Sequence, residues 1–247
     1  MKAVILAAGQ GTRIRSVHGE HPKCLIEVDN TTILDHQLEA LSMAGINDVA
    51  IVVGYEKEQI ISHVMNNKLS HIRRIHFIEN TAFAITNNIY SLWLALEWLR
   101  GDSFIVLNAD VIFDADIIDD AVVRLNAPIS MIVDPLWRDE TMKVIIHGDR
   151  VVHMSKKISR EQFSGTYIGI TIFAKTIQER FIQKLNTLIS AGRVNDFFNI
   201  AVQELADEGI RVGYSSTDGL AWAEIDDPGD LSFAQQNVFP QLAAVVV

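Results

Sequence analysis

Two hydrophobic periods alternate along the first half of the chain, and this alternation restricts the fold more than any other feature. Short apolar runs fall at Lys2–Leu6, Val49–Val53, Arg74–Ile78 and Phe104–Asn108. Between them, apolar residues recur at three-to-four spacing over Ile33–Met43, Lys57–Val64 and Asn88–Leu99. In the last of these, Ile89, Leu92, Trp93, Leu96 and Leu99 form one stripe, which predicts a helix with a single buried face. Strands that return through helices run parallel. The pattern therefore predicts a doubly wound α/β fold, with a mixed, mostly parallel sheet as the middle of three αβα layers. Ligands on such sheets bind beyond the carboxyl ends of the strands.

The second half is richer in strands, at Ile129–Val133, Lys143–His147, Val151–Met154 and Tyr167–Phe173. Helical patterns follow at Ile177–Ile189 and Asp196–Asp207, then short strands at Val212–Tyr214 and Trp222–Ile225, and Pro228 opens a last helix. Neither a Pro/Gly/Ser-rich linker nor a charge run separates the halves, so residues 1–247 are read as one domain with working halves 1–115 and 116–247. Hydrophobic residues make up 49% and charged ones 21% of the 247 residues, enough for a large core. The apolar runs are too short to span a bilayer, and the start lacks the pattern of a secretory signal. The lone cysteine, Cys24, suits a reducing cytoplasm and reads as a packed residue. A net charge of -10 argues against general nucleic-acid binding, and the eight histidines show no metal-ligand spacing. The apolar tail Leu242–Val247 offers a surface for a homodimer partner.

The first apolar run leads into Leu6-Ala7-Ala8-Gly9-Gln10-Gly11-Thr12, followed by Arg13 and by Pro22-Lys23. Small residues allow backbone N–H groups to approach an anion closely, and Arg13 and Lys23 add fixed positive charge. A dinucleotide fingerprint would need a third glycine where Ile14 stands, and no G-K-[ST] follows to make a P-loop. The plain alternative is a glycine-rich strand-to-loop turn. A second constellation, Asn108-Ala109-Asp110, ends the apolar strand FIVL. A carboxylate there is costly unless a cation faces it, and an Asx turn is the competing reading. A third, Glu224-Ile225-Asp226-Asp227-Pro228-Gly229-Asp230, adds more carboxylates before a predicted helix that Asp227 is expected to cap.

The run L-A-A-G-x-G-T-R with P-K-x-L resembles the signature of the nucleotidyltransferase superfamily that activates phosphorylated sugars and alcohols as nucleoside diphosphate derivatives. That resemblance implies a Rossmann-like fold of the nucleotide-diphospho-sugar transferase type. It also implies Mg²⁺ held by a mid-chain aspartate and by one in a late (E/D)-x-D-x-P-x-D motif, here Asp110 and Asp226. Arg13, Lys23 and Asp110 become the expected catalytic residues. Leu6, Ala7, Ala8, Gly9, Gly11, Thr12, Tyr55, Asn88 and Ser91 are the expected nucleotide contacts. The run Asn87-Asn88-Ile89-Tyr90-Ser91-Leu92, with Trp137-Arg138-Asp139-Glu140 and Tyr167-Ile168-Gly169, is similar to the branch holding bacterial choline-phosphate cytidylyltransferases. Related enzymes of that branch cytidylylate phosphonates or inositol phosphate.

By this resemblance the partners are CTP and a small acceptor bearing a phosphate or phosphonate. Tyr90, Trp137, Tyr167 and Trp222 are candidates for a cation–π cage around a choline head group. More often such residues are simply core or rim packing. Asp139, Glu140 or Glu224 would suit a primary ammonium. Lys156 is expected on the acceptor phosphate, as a lysine in related sugar enzymes is, or else as a solvated surface residue. CTP rests on the resemblance and on no single residue. The rival readings are a sugar-1-phosphate nucleotidyltransferase, disfavoured by Ser155-Lys156-Lys157 where sugar enzymes carry Glu-Lys-Pro, and a non-catalytic nucleotide-binding module.

Overall fold

The computed structural model describes residues 1–67 and 72–243. Residues 244–247, which include most of the apolar tail, lie outside that range. The strands Lys2–Ala7, Asp48–Val53, Arg74–Glu79 and Phe104–Asn108 are hydrogen-bonded side by side and parallel, with Lys2–Ala7 between Asp48–Val53 and Phe104–Asn108. Their residues are apolar on both faces because helices cover both. Leu34, Leu38 and Leu41 of Ile33–Met43, Ile60 of Lys57–Asn66 and Ile117 of Asp116–Val123 pack on one face. Leu92 and Leu96 of Asn88–Leu99, Phe181 and Leu185 of Gln178–Ser190, and Val202 of Asn199–Asp207 pack on the other. Three layers result.

The sheet changes character at Gly165–Phe173. This strand pairs antiparallel with Phe104–Asn108 through Ile170–Phe173 and antiparallel with Ile129–Asp134, and it continues the sheet to Lys143–His147 and Arg150–Ser155. Val212–Ser216 then adds to Ile129–Asp134 in parallel. The mixed, mostly parallel sheet thus has an all-parallel first half and a second half in which most pairings are antiparallel. Among the described residues, no helix is long and apolar enough to cross a membrane.

Among the elements not apparent from the sequence, two bear on the site. Val111–Phe113 turns back from the strand before it and pairs antiparallel with Trp222–Glu224, and Asp116–Val123 forms a helix. The small ribbon matters because it ties the mid-chain strand end to the late acidic motif. Below it a separate apolar cluster joins Ile14 and Ile26 of the glycine-loop segment to Ile225 and Leu231 around that motif.

The helix Pro228–Phe233 begins as expected. Asp227 accepts from Gly229 N at 2.7 Å and Asp230 N at 3.0 Å, while Asp230 accepts from Asp227 N at 3.1 Å, closing a reciprocal cap. Asp230 also accepts from Asp226 N at 2.9 Å, so the cap fixes the backbone of its acidic neighbour. Asp227→Ala should lower stability by about 1 kcal/mol. In thermal unfolding this would be a fall of about 2–4 °C for a chain of this size. An unchanged midpoint would contradict the cap.

Candidate active site

The carboxyl ends of the parallel strands open into a cleft of about 310 Å³. Leu6, Ala7, Ala8, Gly9, Gly11 and Thr12 line one wall, with Arg13 and Lys23 beside them. Asn88 and Ser91 come from the start of the Asn88–Leu99 helix, and Asp110, Lys156, Glu224 and Asp226 complete the lining. Fourteen expected residues from distant parts of the sequence therefore share one cleft.

Gly11 has φ of +56°, and a Cβ built there would stand 3.0 Å from Lys23 Cβ. The glycine serves both the left-handed turn and the passage of the Lys23 side chain. At Gly54 a Cβ would meet Phe83 Cβ at 2.8 Å and the Ala8 carbonyl at 2.9 Å. The neighbouring strand end can therefore press against the loop, where Tyr55 N donates to Ala8 O at 3.2 Å.

Charge converges on Lys23. Its ammonium lies 2.8 Å from Asp110 Oδ2 and 2.5 Å from Asp226 Oδ1, while Arg13 Nη2 donates to Asp226 Oδ2 at 2.7 Å. Burial alone would lower the Lys23 pKa, but the Asp110 and Asp226 carboxylates outweigh it and hold the ammonium above the usual lysine value. For Asp226, burial acts to raise the pKa, yet Lys23 and Arg13 bring it below the ordinary carboxylate value. Glu224 is shifted the other way, raised first by burial and then by the Asp110 and Asp226 carboxylates. Oxygens of Asp110, Glu224 and Asp226 all lie within 4.8 Å of one another, and Asp110 Oδ1 is buried with no hydrogen-bond partner. A cluster of hard carboxylate oxygens with one orphaned atom fits a small divalent cation such as Mg²⁺.

Several expected contacts lie elsewhere. Tyr167 is 4% exposed, packed in the core with its hydroxyl 2.8 Å from Thr171 Oγ1. Trp222 is 2% exposed, and its indole N–H donates to the Asp134 carboxylate. Both rings are interior packing and leave no face for an acceptor. Tyr90 stacks on Trp93 at 5.4 Å, outside the cleft lining. Trp137 is covered by Lys143 and Arg160, at 4.6 Å and 4.8 Å from the ring, and donates to Asp139 at 2.8 Å. No aromatic cage is formed by these four. The Tyr55 ring stands behind the wall, edge-on to Phe83 and beneath Arg15. Glu140 does not line the cleft but reaches its rim, 3.5 Å from Arg13 Nη1.

The cleft also contains residues that the sequence reading did not single out. Asn80, at the carboxyl end of Arg74–Glu79, donates to Thr86 Oγ1 and Ser91 Oγ, both at 3.1 Å, and braces the loop carrying Phe83. Its place at a parallel strand end was the available clue. Phe197 lies on the acceptor side, 42% exposed, with Lys156 Nζ 5.4 Å from its ring centre. Nothing in the run Val194–Phe198 marked it. That segment is held by Phe198 N donating to Asn88 Oδ1 at 2.8 Å and Asn87 N donating to Val194 O at 2.9 Å.

A parallel sheet, a glycine loop and a lysine set among carboxylates define a nucleotidyltransferase site. The model of the MobA-like NTP transferase domain matches residues 3–188, and the chain belongs to that family. The CTP:phosphoglutamine cytidylyltransferase of Campylobacter jejuni is 27% identical over 193 residues, 70% of this chain and 73% of that protein. The choline-phosphate cytidylyltransferase of Streptococcus pneumoniae is 40% identical over 110 residues, 44% of each chain. Other curated relatives are longer, and the match spans 37% and 57% of the length of two of them. The inositol-1-phosphate CTP transferase of T. maritima superposes with a TM-score of 0.79 over 96% of this chain and 97% of that one. At 22% identity, that likeness establishes the fold.

Cys24 is 1% exposed, and burial pushes its thiol up to about 12, with the Asp35 and Asp110 carboxylates adding to the shift. The unfolded thiol releases its proton near 9.0 and the folded one does not, so the stability this thiol contributes falls as pH rises above 9.0. A thiol reagent at about pH 8 should leave native Cys24 unmodified and titrate it in guanidinium. Equal rates in both states would contradict its burial.

Proposed function

We propose that the chain joins the nucleotidyl group of CTP to a small acceptor bearing a phosphate or phosphonate, with release of pyrophosphate. One observation carries this reading: the glycine loop, Arg13, Lys23 and three clustered carboxylates line a single cleft, with Lys23 paired to two of those carboxylates. The choice of CTP is supported by the cytidylyltransferase relatives. Both relatives named for their acceptors use a small phosphorylated compound. For the class of acceptor, the cleft itself offers Lys156 as an anion contact and Phe197 as an apolar face.

An acceptor oxygen attacks the α-phosphorus, the bond from that phosphorus to the α–β bridging oxygen breaks, and pyrophosphate departs with the bonding pair. A dianion approaches a polyanion, so the chief requirement is neutralisation and alignment rather than proton transfer. Backbone N–H groups of the loop and Arg13 hold the β- and γ-phosphates. Lys23 serves the α-phosphate, where negative charge grows in the transition state. Lys156 orients the acceptor anion. Asp110, Glu224 and Asp226 are the residues that would hold Mg²⁺, which when bound supplies Lewis acidity and neutralises phosphate charge.

Pyrophosphate release should be screened with CTP, UTP, dTTP and GTP against phosphocholine, 2-aminoethylphosphonate, inositol phosphate and sugar 1-phosphates, in Mg²⁺. CTP with a non-sugar acceptor is the expected pair. In the folded variants, Lys23→Ala and Asp110→Ala should each lose turnover by about 100-fold or more. Selective turnover of a sugar 1-phosphate with UTP or dTTP would overturn the reading, as would near-wild-type activity in either variant.

A further inference from the structure

The helix Ile33–Met43 presents leucines to the sheet and, among them, one amide: Gln37, 1% exposed. Its Nε2 donates both hydrogens, to Asn108 O at 2.8 Å and to Val111 O at 2.8 Å. These carbonyls bracket the two-residue turn Ala109-Asp110 that carries the central carboxylate of the cleft. The ribbon explains why the second carbonyl is free for Gln37. Ile225 N donates to Asp110 O at 2.9 Å and Asp114 N to Ala221 O at 2.9 Å. In an antiparallel pair the hydrogen-bonded positions alternate, so Val111, opposite Glu224, directs its carbonyl away from the partner strand. The turn is held from one side by the acidic motif and from the other by Gln37.

We infer that Gln37 is a positioning residue: its side-chain amide sets the height and angle of Asp110 against Glu224 and Asp226, and so the geometry of the cation site. This rests on the reading of Asp110 as a metal ligand. Gln37 touches neither substrate nor cation in this account; it acts through the backbone on either side of Asp110. Removing its donors leaves two buried carbonyls unpaired and frees the turn to move.

The molecule contains its own control. Gln178, 3% exposed, donates from Nε2 to Leu99 O at 2.7 Å and to Asp102 O at 2.9 Å, the same pair of donated bonds at the start of the strand Phe104–Asn108 rather than at its end, and it also accepts from Gly101 N at 2.6 Å. Any general cost of unpairing two carbonyls appears in both glutamines. An effect on the cation site should appear in one.

The test is Mn²⁺ binding to the full chain without nucleotide, read by the paramagnetic resonance signal of free Mn²⁺ as a stand-in for Mg²⁺. It is paired with steady-state kinetics for CTP. Gln37→Met keeps the side-chain outline and removes the donors. It should weaken Mn²⁺ binding about tenfold and lower kcat by a similar factor, with KM for CTP within about twofold of wild type. Gln178→Met should lower the unfolding midpoint and leave Mn²⁺ affinity at the wild-type value. Wild-type Mn²⁺ affinity in folded Gln37→Met, or equal weakening in both variants, would overturn the inference. Asp110→Asn separates the two readings: loss of Mn²⁺ binding there supports Asp110 as a ligand, whatever Gln37→Met does. Wild-type binding in Asp110→Asn would overturn that reading and this inference together. Should Gln37→Met not fold, Gln37→Glu is read in the same way, since a carboxyl group donates at most one hydrogen bond.

Discussion

The arrangement depends on the Lys23 ammonium held between Asp110 and Asp226. Taking three such charges largely out of water is costly, and their mutual attraction offsets the cost only when the geometry is tight. Lys23 arrives from the segment after the glycine loop, Asp110 from a strand end and Asp226 from the last third of the chain. Each is anchored by neutral structure: Gly11 admits the Lys23 side chain, the Val111–Phe113 ribbon holds the Asp110 turn to Ile225, and the Asp227–Asp230 cap fixes Asp226. The apolar cluster of Ile14, Ile26, Ile225 and Leu231 locks the first and last of these segments together.

The sheet places this charge cluster where its two halves meet. The strand Phe104–Asn108 has a parallel neighbour in Lys2–Ala7 and an antiparallel one in Gly165–Phe173. The parallel side supplies strand ends and loops suited to phosphates. The more irregular side supplies Lys156 and Phe197 from segments outside the parallel core. A cleft at such a change of strand order exposes both kinds of wall to one ligand.

Much of this was legible because periodicity and local chemistry agree. The helices Ile33–Met43 and Asn88–Leu99 fall at the bounds their apolar spacing predicts, and the glycine loop and both acidic motifs line one cleft. For Tyr167 and Trp222 the packing reading holds over the acceptor one, and the sequence could not decide because an aromatic near a strand end looks alike whether its ring turns inward or into a cleft. The register shift between Tyr167 and Thr171 adds to the difficulty. Val111–Phe113 was missed as a separate strand because it follows Phe104–Asn108 after only two residues. Asn80, Phe197 and Gln37 owe their positions to tertiary contacts with segments distant in sequence, and no local pattern encodes those contacts.

The most direct measurement of the central claim is thermal unfolding of Lys23→Met with and without Mg²⁺. Without the ammonium, Asp110 and Glu224 face Asp226 with only Arg13 left to offset the cluster's charge. The variant should lose about 3 kcal/mol relative to wild type in the presence of a chelator. Millimolar Mg²⁺ should then restore more stability to the variant than it adds to wild type. A variant that unfolds at the wild-type temperature in chelator and does not respond to Mg²⁺ would contradict the account.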